Sequence, residues 1–179
     1  MYRNTFLSVM FLACCFNGSL CAQSDAQIYE RTCDAKTYPF SDPSPVATPN
    51  NSYYPYFRFD GFSMQAQEKQ WKMVVLENDY VKLTVTPEIG GKIWGAIDKV
   101  NNKEFVYTNG VVKFRDVAMR GPWTSGGIEF NFGIIGHAPT CSTPIDYLTK
   151  KNVDGSVSCH IFSYEWITRT VWNVEINLP

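Results

Sequence analysis

Alternation of hydrophobic and polar residues is the main pattern in the second half of the chain, and it is clearest in the last segment. There the apolar residues Trp172, Val174, Ile176 and Leu178 share one face, and polar residues occupy the positions between them. A period of two residues is that of a β-strand with one buried face and one face in water. The pattern therefore predicts an antiparallel sheet that is covered on one side.

Shorter segments with the same alternation follow one another from Trp71 onward. The predicted strands cover Met73–Glu77, Tyr80–Thr86, Lys92–Ile97, Glu104–Tyr107 and Val111–Met119. Turn-forming residues separate them, notably at 87–91 and at Asn109-Gly110. Because no segment has a convincing helical period, the sequence predicts an all-β fold.

Residues 23–70 lack this regularity. Five prolines between positions 39 and 55 exclude a long helix, and the tyrosines and phenylalanines around them are too numerous for a disordered linker. We therefore expect an irregular arm, rich in proline and aromatic residues, that is packed on the domain. The alternative is that these rings form a platform for a sugar.

The first 22 residues have the features of a secretory signal peptide. Arg3 precedes an apolar run over residues 5–16, and small residues allow cleavage after Ala22. We expect a secreted or periplasmic protein, and no later segment is long and apolar enough to predict a membrane span.

Charge and cysteine content limit the function further. The formal net charge is −1 and basic residues do not cluster, so the sequence does not predict nucleic acid as a partner. Outside the signal peptide the cysteines are Cys33, Cys141 and Cys159. A bridge between Cys141 and Cys159 and three buried thiols are both compatible with the sequence.

The glycine-rich stretch 120–137 carries the most chemistry. Its five glycines predict bends or a close approach of another group to the backbone. Read as a short strand, 128–132 turns Ile128, Phe130 and Phe132 to one face and Glu129 and Asn131 to the other. His137 follows the next bend.

Several motifs in this region and around it resemble a known family. Residues 85–94 (Val-Thr-Pro-Glu-Ile-Gly-Gly-Lys-Ile-Trp) resemble the amino-terminal strand-turn-strand of the galactose-mutarotase-like superfamily. More specific motifs stand at 123–133 (Trp-Thr-Ser-Gly-Gly-Ile-Glu-Phe-Asn-Phe-Gly), 136–137, 143–147, 154–156 and 168–172. Together they resemble a bacterial domain family of unknown function within that superfamily, from about Tyr38 to the end of the chain.

The resemblance implies an antiparallel β-supersandwich whose concave sheet face accommodates carbohydrate. Residues 71–179 would form its amino-terminal part, because the family fold is longer and the chain ends directly after a strong strand. Members are often secreted and often carry tetratricopeptide repeats further on. We therefore expect the chain to be part of a longer protein with such a carboxy-terminal domain.

Candidate site residues come from this comparison and from residue chemistry. Mutarotases use a carboxylate base and a histidine acid, and Glu129 and His137 supply these two types. The mutarotase base lies in a later part of that fold, however, so it does not map onto Glu129. Trp123 can stack on a sugar, and Asn131, Arg120 and Arg169 can bind hydroxyl or carboxylate groups. Each of these residues also has a plain structural interpretation, as packing or an ion pair.

The function we expect is that of a carbohydrate-binding domain in a glycan-handling protein. One alternative is a carbohydrate-active enzyme, epimerase-like or glycosidase-like, with Glu129 and His137 as acid and base. The other is a structural domain with a vestigial groove. Two histidines without ligand spacing predict no zinc site, and no cofactor is expected, although scattered carboxylates leave calcium open.

Overall fold

A computed structural model describes residues 26–40, 62–116, 122–132, 137, 140–165 and 169–179. These residues form ten β-strands and one short 3-10 helix, Pro87–Ile89, with no α-helix in the described part of the chain. The predicted all-β class is confirmed. The predicted signal peptide lies outside the described residues.

The larger of the two sheets has seven strands. They are β1 Gln27–Tyr38, β2 Gln67–Glu77, β3 Val81–Thr86, β4 Lys92–Asp98, β5 Lys103–Glu104, β6 Val112–Asp116 and β7 Pro122–Thr124. Their order across the sheet is β5-β4-β3-β2-β1-β6-β7. Neighbouring strands are antiparallel, except that β1 and β6 pair in parallel, which the sequence analysis did not predict.

The second sheet has three strands, β8 Asp146–Lys151, β9 Val157–Glu165 and β10 Thr170–Leu178, in the order β10-β9-β8. Its apolar face packs on the larger sheet. The resulting core joins Val74, Leu76, Val85 and Ile93 from one sheet to Val157, Cys159, Ile161, Trp172, Ile176 and Leu178 from the other. The domain is thus a β-sandwich, and β10 buries the apolar stripe that the alternation predicts.

The prediction of an irregular arm over residues 23–70 is wrong at both ends of that range, because both ends form β-strands. Residues 27–38 form β1, which pairs with β2 from Gln27–Glu77 to Thr37–Gln67. β1 carries polar residues on both faces because much of it is uncovered, so its sequence lacks the alternation that would have revealed a strand. Residues 41–61 of the expected arm lie outside the described residues.

The seven-stranded sheet is strongly curled. β4 and β7 are separated by four strands in the sheet order, yet Lys92 of β4 bonds Thr124 of β7. In addition, Ile93 of β4 forms a β-bridge with Ile128, four residues after the end of β7. The chain after β7 therefore returns to β4. A second hydrophobic cluster collects around Trp71, Met73, Ile89, Trp94, Val112 and Phe114.

Candidate functional site

The Gly126-Gly127 turn brings the glycine-rich segment against β4. Both residues have positive φ, 86° and 72°, a region that glycine occupies at no steric cost. A Cβ on Gly127 would lie 2.3 Å from the carbonyl oxygen of Ile93. This close approach allows Ile128 N to donate to Ile93 O at 2.8 Å and Ile93 N to donate to Ile128 O at 3.0 Å. The predicted close backbone contact is therefore present.

The strand predicted over 128–132 is not formed. Only Ile128 pairs, through its bridge with Ile93, and residues 129–132 have no ladder partner. Phe130 and Phe132 nevertheless pack on the core between the sheets, while Ile128 is exposed. After the glycine turn, contacts with β4 and with the core hold this segment in place. It therefore does not need a ladder of hydrogen bonds with a neighbouring strand.

Glu129 is the centre of a polar cluster. Trp123 Nε1 donates a hydrogen bond to Glu129 Oε2 at 2.8 Å, and His137 Nδ1 lies 2.9 Å from Glu129 Oε1. The rings of Trp123 and His137 meet edge to face, with centroids 6.1 Å apart. We call these three residues the Glu129 cluster. All three were predicted from the sequence, and the structure brings them together.

The two ends of the cluster differ in access to solvent. The Glu129 side chain is 14% exposed and the His137 side chain is 37% exposed. An ionised carboxylate only accepts hydrogen bonds, so His137 carries a hydrogen on Nδ1 when it bonds Glu129. Its Nε2 is then the nitrogen left to accept or release a proton, as in other carboxylate–imidazole pairs.

Lys92 lies beneath the cluster and was not proposed from the sequence. It is 2% exposed, and its Nζ donates to the Thr124 carbonyl oxygen at 2.8 Å and to Thr124 Oγ1 at 3.2 Å. The ammonium also lies 5.7 Å from the Trp123 ring centre and 6.0 Å from that of Trp94. Burial lowers the pKa of Lys92, and the negative charge of Glu129 opposes that shift.

The other proposed residues do not join the cluster. Asn131 is exposed on the segment beyond Glu129. Arg169 is exposed at the turn before β10, on the smaller sheet, with φ of 55°. Arg120 lies outside the described residues. The placement of Asn131 follows from the missing strand, because alternation no longer sets which side chains share a face.

A separate cleft of about 250 Å³ opens on the curled sheet. Its apolar wall includes Met73 and Trp94, and Arg31, Asp34 and Glu104 bring charged groups to it. Neither Glu129 nor His137 lines this cleft. Trp94 does line it and also approaches Lys92, so the cleft and the cluster are neighbours that do not share their polar residues.

Cys33, Cys141 and Cys159 are thiols, and the described residues contain no disulfide. The proposed Cys141–Cys159 bridge is therefore not formed. Cys159 is instead fully buried in the core between the sheets, where burial raises its pKa to about 12. Among the described residues, no three His, Cys, Asp or Glu side chains form a metal-binding group. The same residues include no helix that is long and apolar enough to span a membrane.

The described residues thus form an all-β sandwich domain with a carboxylate–imidazole pair beside a curled sheet. The family model for a domain of unknown function, DUF5107, matches residues 48–179, and the chain belongs to this family. The match agrees with the predicted family of unknown function and does not by itself assign a superfamily.

A solved structure resembles the domain as well. It is the crystal structure of a TPR-domain containing protein from Parabacteroides distasonis, with a TM-score of 0.77 and 26% sequence identity. The likeness covers 87% of this chain and 27% of that chain, so this chain spans about a quarter of its length.

Proposed function

We propose that this domain binds carbohydrate and that the Glu129 cluster contacts the sugar. One observation carries the proposal: a mostly buried carboxylate holds an indole and a half-exposed imidazole together. Aromatic faces suit the C–H surfaces of sugar rings, and imidazole and carboxylate groups suit their hydroxyls. The galactose-mutarotase-like motifs and the predicted signal peptide support an extracellular glycan as ligand.

The supersandwich and its place in a longer glycan-handling protein belong to the same proposal. The β-sandwich is compatible with the galactose-mutarotase-like fold that the motifs imply. The likeness to part of a TPR-domain containing protein is compatible with further domains.

A second candidate function is acid–base chemistry on a carbohydrate, which the contact of 2.9 Å between His137 and Glu129 favours. In this version His137 exchanges a proton with the sugar through Nε2. Glu129 has both oxygens engaged, so it orients the imidazole. His137 is then the proton carrier and Glu129 is the positioning residue, so Glu129 is not itself the base.

The test is a glycan panel screened with the full chain and with Glu129→Gln, which keeps the shape of the side chain and removes its charge. We expect binding to weaken at least about tenfold, because the imidazole loses its charged partner. Glu68→Gln, which changes an exposed carboxylate near the start of β2, is the matched control and should bind like the parent.

Each outcome decides between the candidates. Retained binding with lost turnover in Glu129→Gln would identify an enzyme, and binding without turnover in the parent would identify a binding domain. If the folded parent binds no glycan on the panel, the proposal is wrong and the vestigial groove is favoured. Equal binding by parent and Glu129→Gln would place the ligand elsewhere.

A further inference from the structure

We infer that Lys92 is a positioning residue for the Glu129 cluster, one that ties β7 to β4 and supplies the counter-charge for Glu129. The inference rests on the proposed function only in treating the cluster as the functional site. Its evidence is independent and comes from burial, hydrogen bonds, topology and charge.

The burial of Lys92 is unusual for a lysine. Lysine is almost never fully buried unless its charge is paired, because removing an ammonium from water is costly. Lys92 is 2% exposed and lies between two tryptophan rings. Such a position in a β-strand requires compensation from polar partners.

The hydrogen bonds of Lys92 connect β4 to β7. Both acceptors belong to Thr124, the last residue of β7, whose side chain is itself buried. The neighbouring residue, Trp123, donates to Glu129. A path of short contacts thus runs from β4 through Lys92 to β7, and from β7 through Trp123 to the carboxylate.

The positive charge of Lys92 needs a partner other than Thr124. The two acceptors on Thr124 are neutral, so they satisfy donors without neutralising the ammonium. Glu129 is the main group whose negative charge favours the protonated lysine, with Cys141 second. Glu129 in turn holds His137 through Nδ1, so the charge of Lys92 acts on the residue that positions the imidazole.

The primary experiment measures the titration midpoint of Lys92. The ¹³Cε chemical shift of Lys92 is followed against pH in the parent and in Glu129→Gln. We expect the Lys92 midpoint to fall in the variant, because a nearby opposite charge that raises the pKa of Lys92 is lost. Glu68→Gln should leave it unchanged. An unchanged midpoint in Glu129→Gln would overturn the inference.

A second experiment removes the lysine. Lys92→Met keeps the apolar stem and should shift the Nε1–H resonance of the Trp123 indole, because the residue that ties β7 to β4 beside that ring is gone. The indole of Trp172, in the core between the sheets, serves as internal reference in the same spectra. The matched control is Lys69→Met, an exposed lysine that contacts Trp71 and should leave the Trp123 resonance in place. An unmoved Trp123 resonance in Lys92→Met would overturn the tether.

Thr124→Val separates charge from tethering, because it removes one acceptor of Lys92 and leaves the ammonium. It should lower stability, and adding Glu129→Gln to it should still lower the Lys92 midpoint. A Lys92 midpoint that no longer responds to Glu129→Gln in the Thr124→Val background would show a purely structural role and overturn the counter-charge. None of these measurements uses a sugar, so they can succeed where the glycan panel fails, and the reverse.

Discussion

Trp123 and Trp172 show at the residue scale how one hydrogen bond distinguishes a site residue from a core residue. Trp123 Nε1 donates to Glu129, whereas Trp172 Nε1 is buried without a hydrogen-bond partner in the described structure. Trp172 instead stacks on Phe132 in the core between the sheets. The two indoles therefore offer a matched comparison of polar coupling against packing.

A double-mutant cycle tests that difference. Trp123→Phe and Glu129→Leu should be coupled by about 1–2 kcal/mol of unfolding free energy, because each removes one partner of a charge-assisted hydrogen bond. Trp172→Phe and Glu129→Leu should show no coupling. Urea unfolding of the single and double variants measures both values, and equal coupling in the two cycles would contradict the assigned contact.

The residue types of the cluster were predictable, and their environment was not. Trp123, Glu129 and His137 stand close together in a glycine-rich stretch, so sequence chemistry was enough to propose them. Lys92 carried no such signal, because it reads as the first residue of a returning strand. Its burial depends on β7, which lies far away in the sheet order and reaches β4 only because the sheet curls.

At the scale of elements, the turn at Gly127 decides how the site segment meets β4. Gly127→Ala should destabilise the domain by about 2–4 kcal/mol, because the backbone is left-handed there and the new Cβ meets the Ile93 carbonyl. Gly110→Ala is the control, since a Cβ there meets nothing within 4 Å. Thermal unfolding monitored by circular dichroism compares the two. A cost at Gly127 no greater than at Gly110 would show that the close approach is absent.

Strands were predictable where one face is buried and the other is in water. β10 has that environment along most of its length, and its alternation located it to within two residues. β3 and β4 have no fully exposed residue, and the turn at 87–91 between them helped to locate them to within a residue. β1 is mostly exposed on both faces and was missed. The segment 129–132 failed in the opposite sense, because its alternation comes from separate contacts and not from a sheet ladder.

At the scale of the whole molecule, Cys159 makes stability sensitive to alkaline pH. Its folded pKa is raised from 9.0 to about 12 by burial, so above pH 9 the folded state keeps a proton that the unfolded state releases. Stability therefore falls as pH rises between these values, by up to about 1.4 kcal/mol for each pH unit.

Cys159→Ala should flatten this alkaline decline while lowering stability at neutral pH, because a cavity forms between the sheets. Urea unfolding between about pH 8 and 10.5 gives both quantities. Cys33→Ala, at a half-buried position on β1, is the control and should retain the decline. An identical slope in Cys159→Ala and the parent would refute the assignment to Cys159.

The all-β class, the apolar stripe of β10 and the chemistry available at Trp123, Glu129 and His137 could all be predicted from the amino-acid sequence. These follow from periodicity and side-chain type, which are local properties. The position of β1 inside the larger sheet, the curl of that sheet and the burial of Lys92 beneath the cluster appear first in the folded chain. Those features depend on pairing between segments far apart in the chain, and pairing between distant segments leaves no local pattern when neither face of the strand is consistently covered.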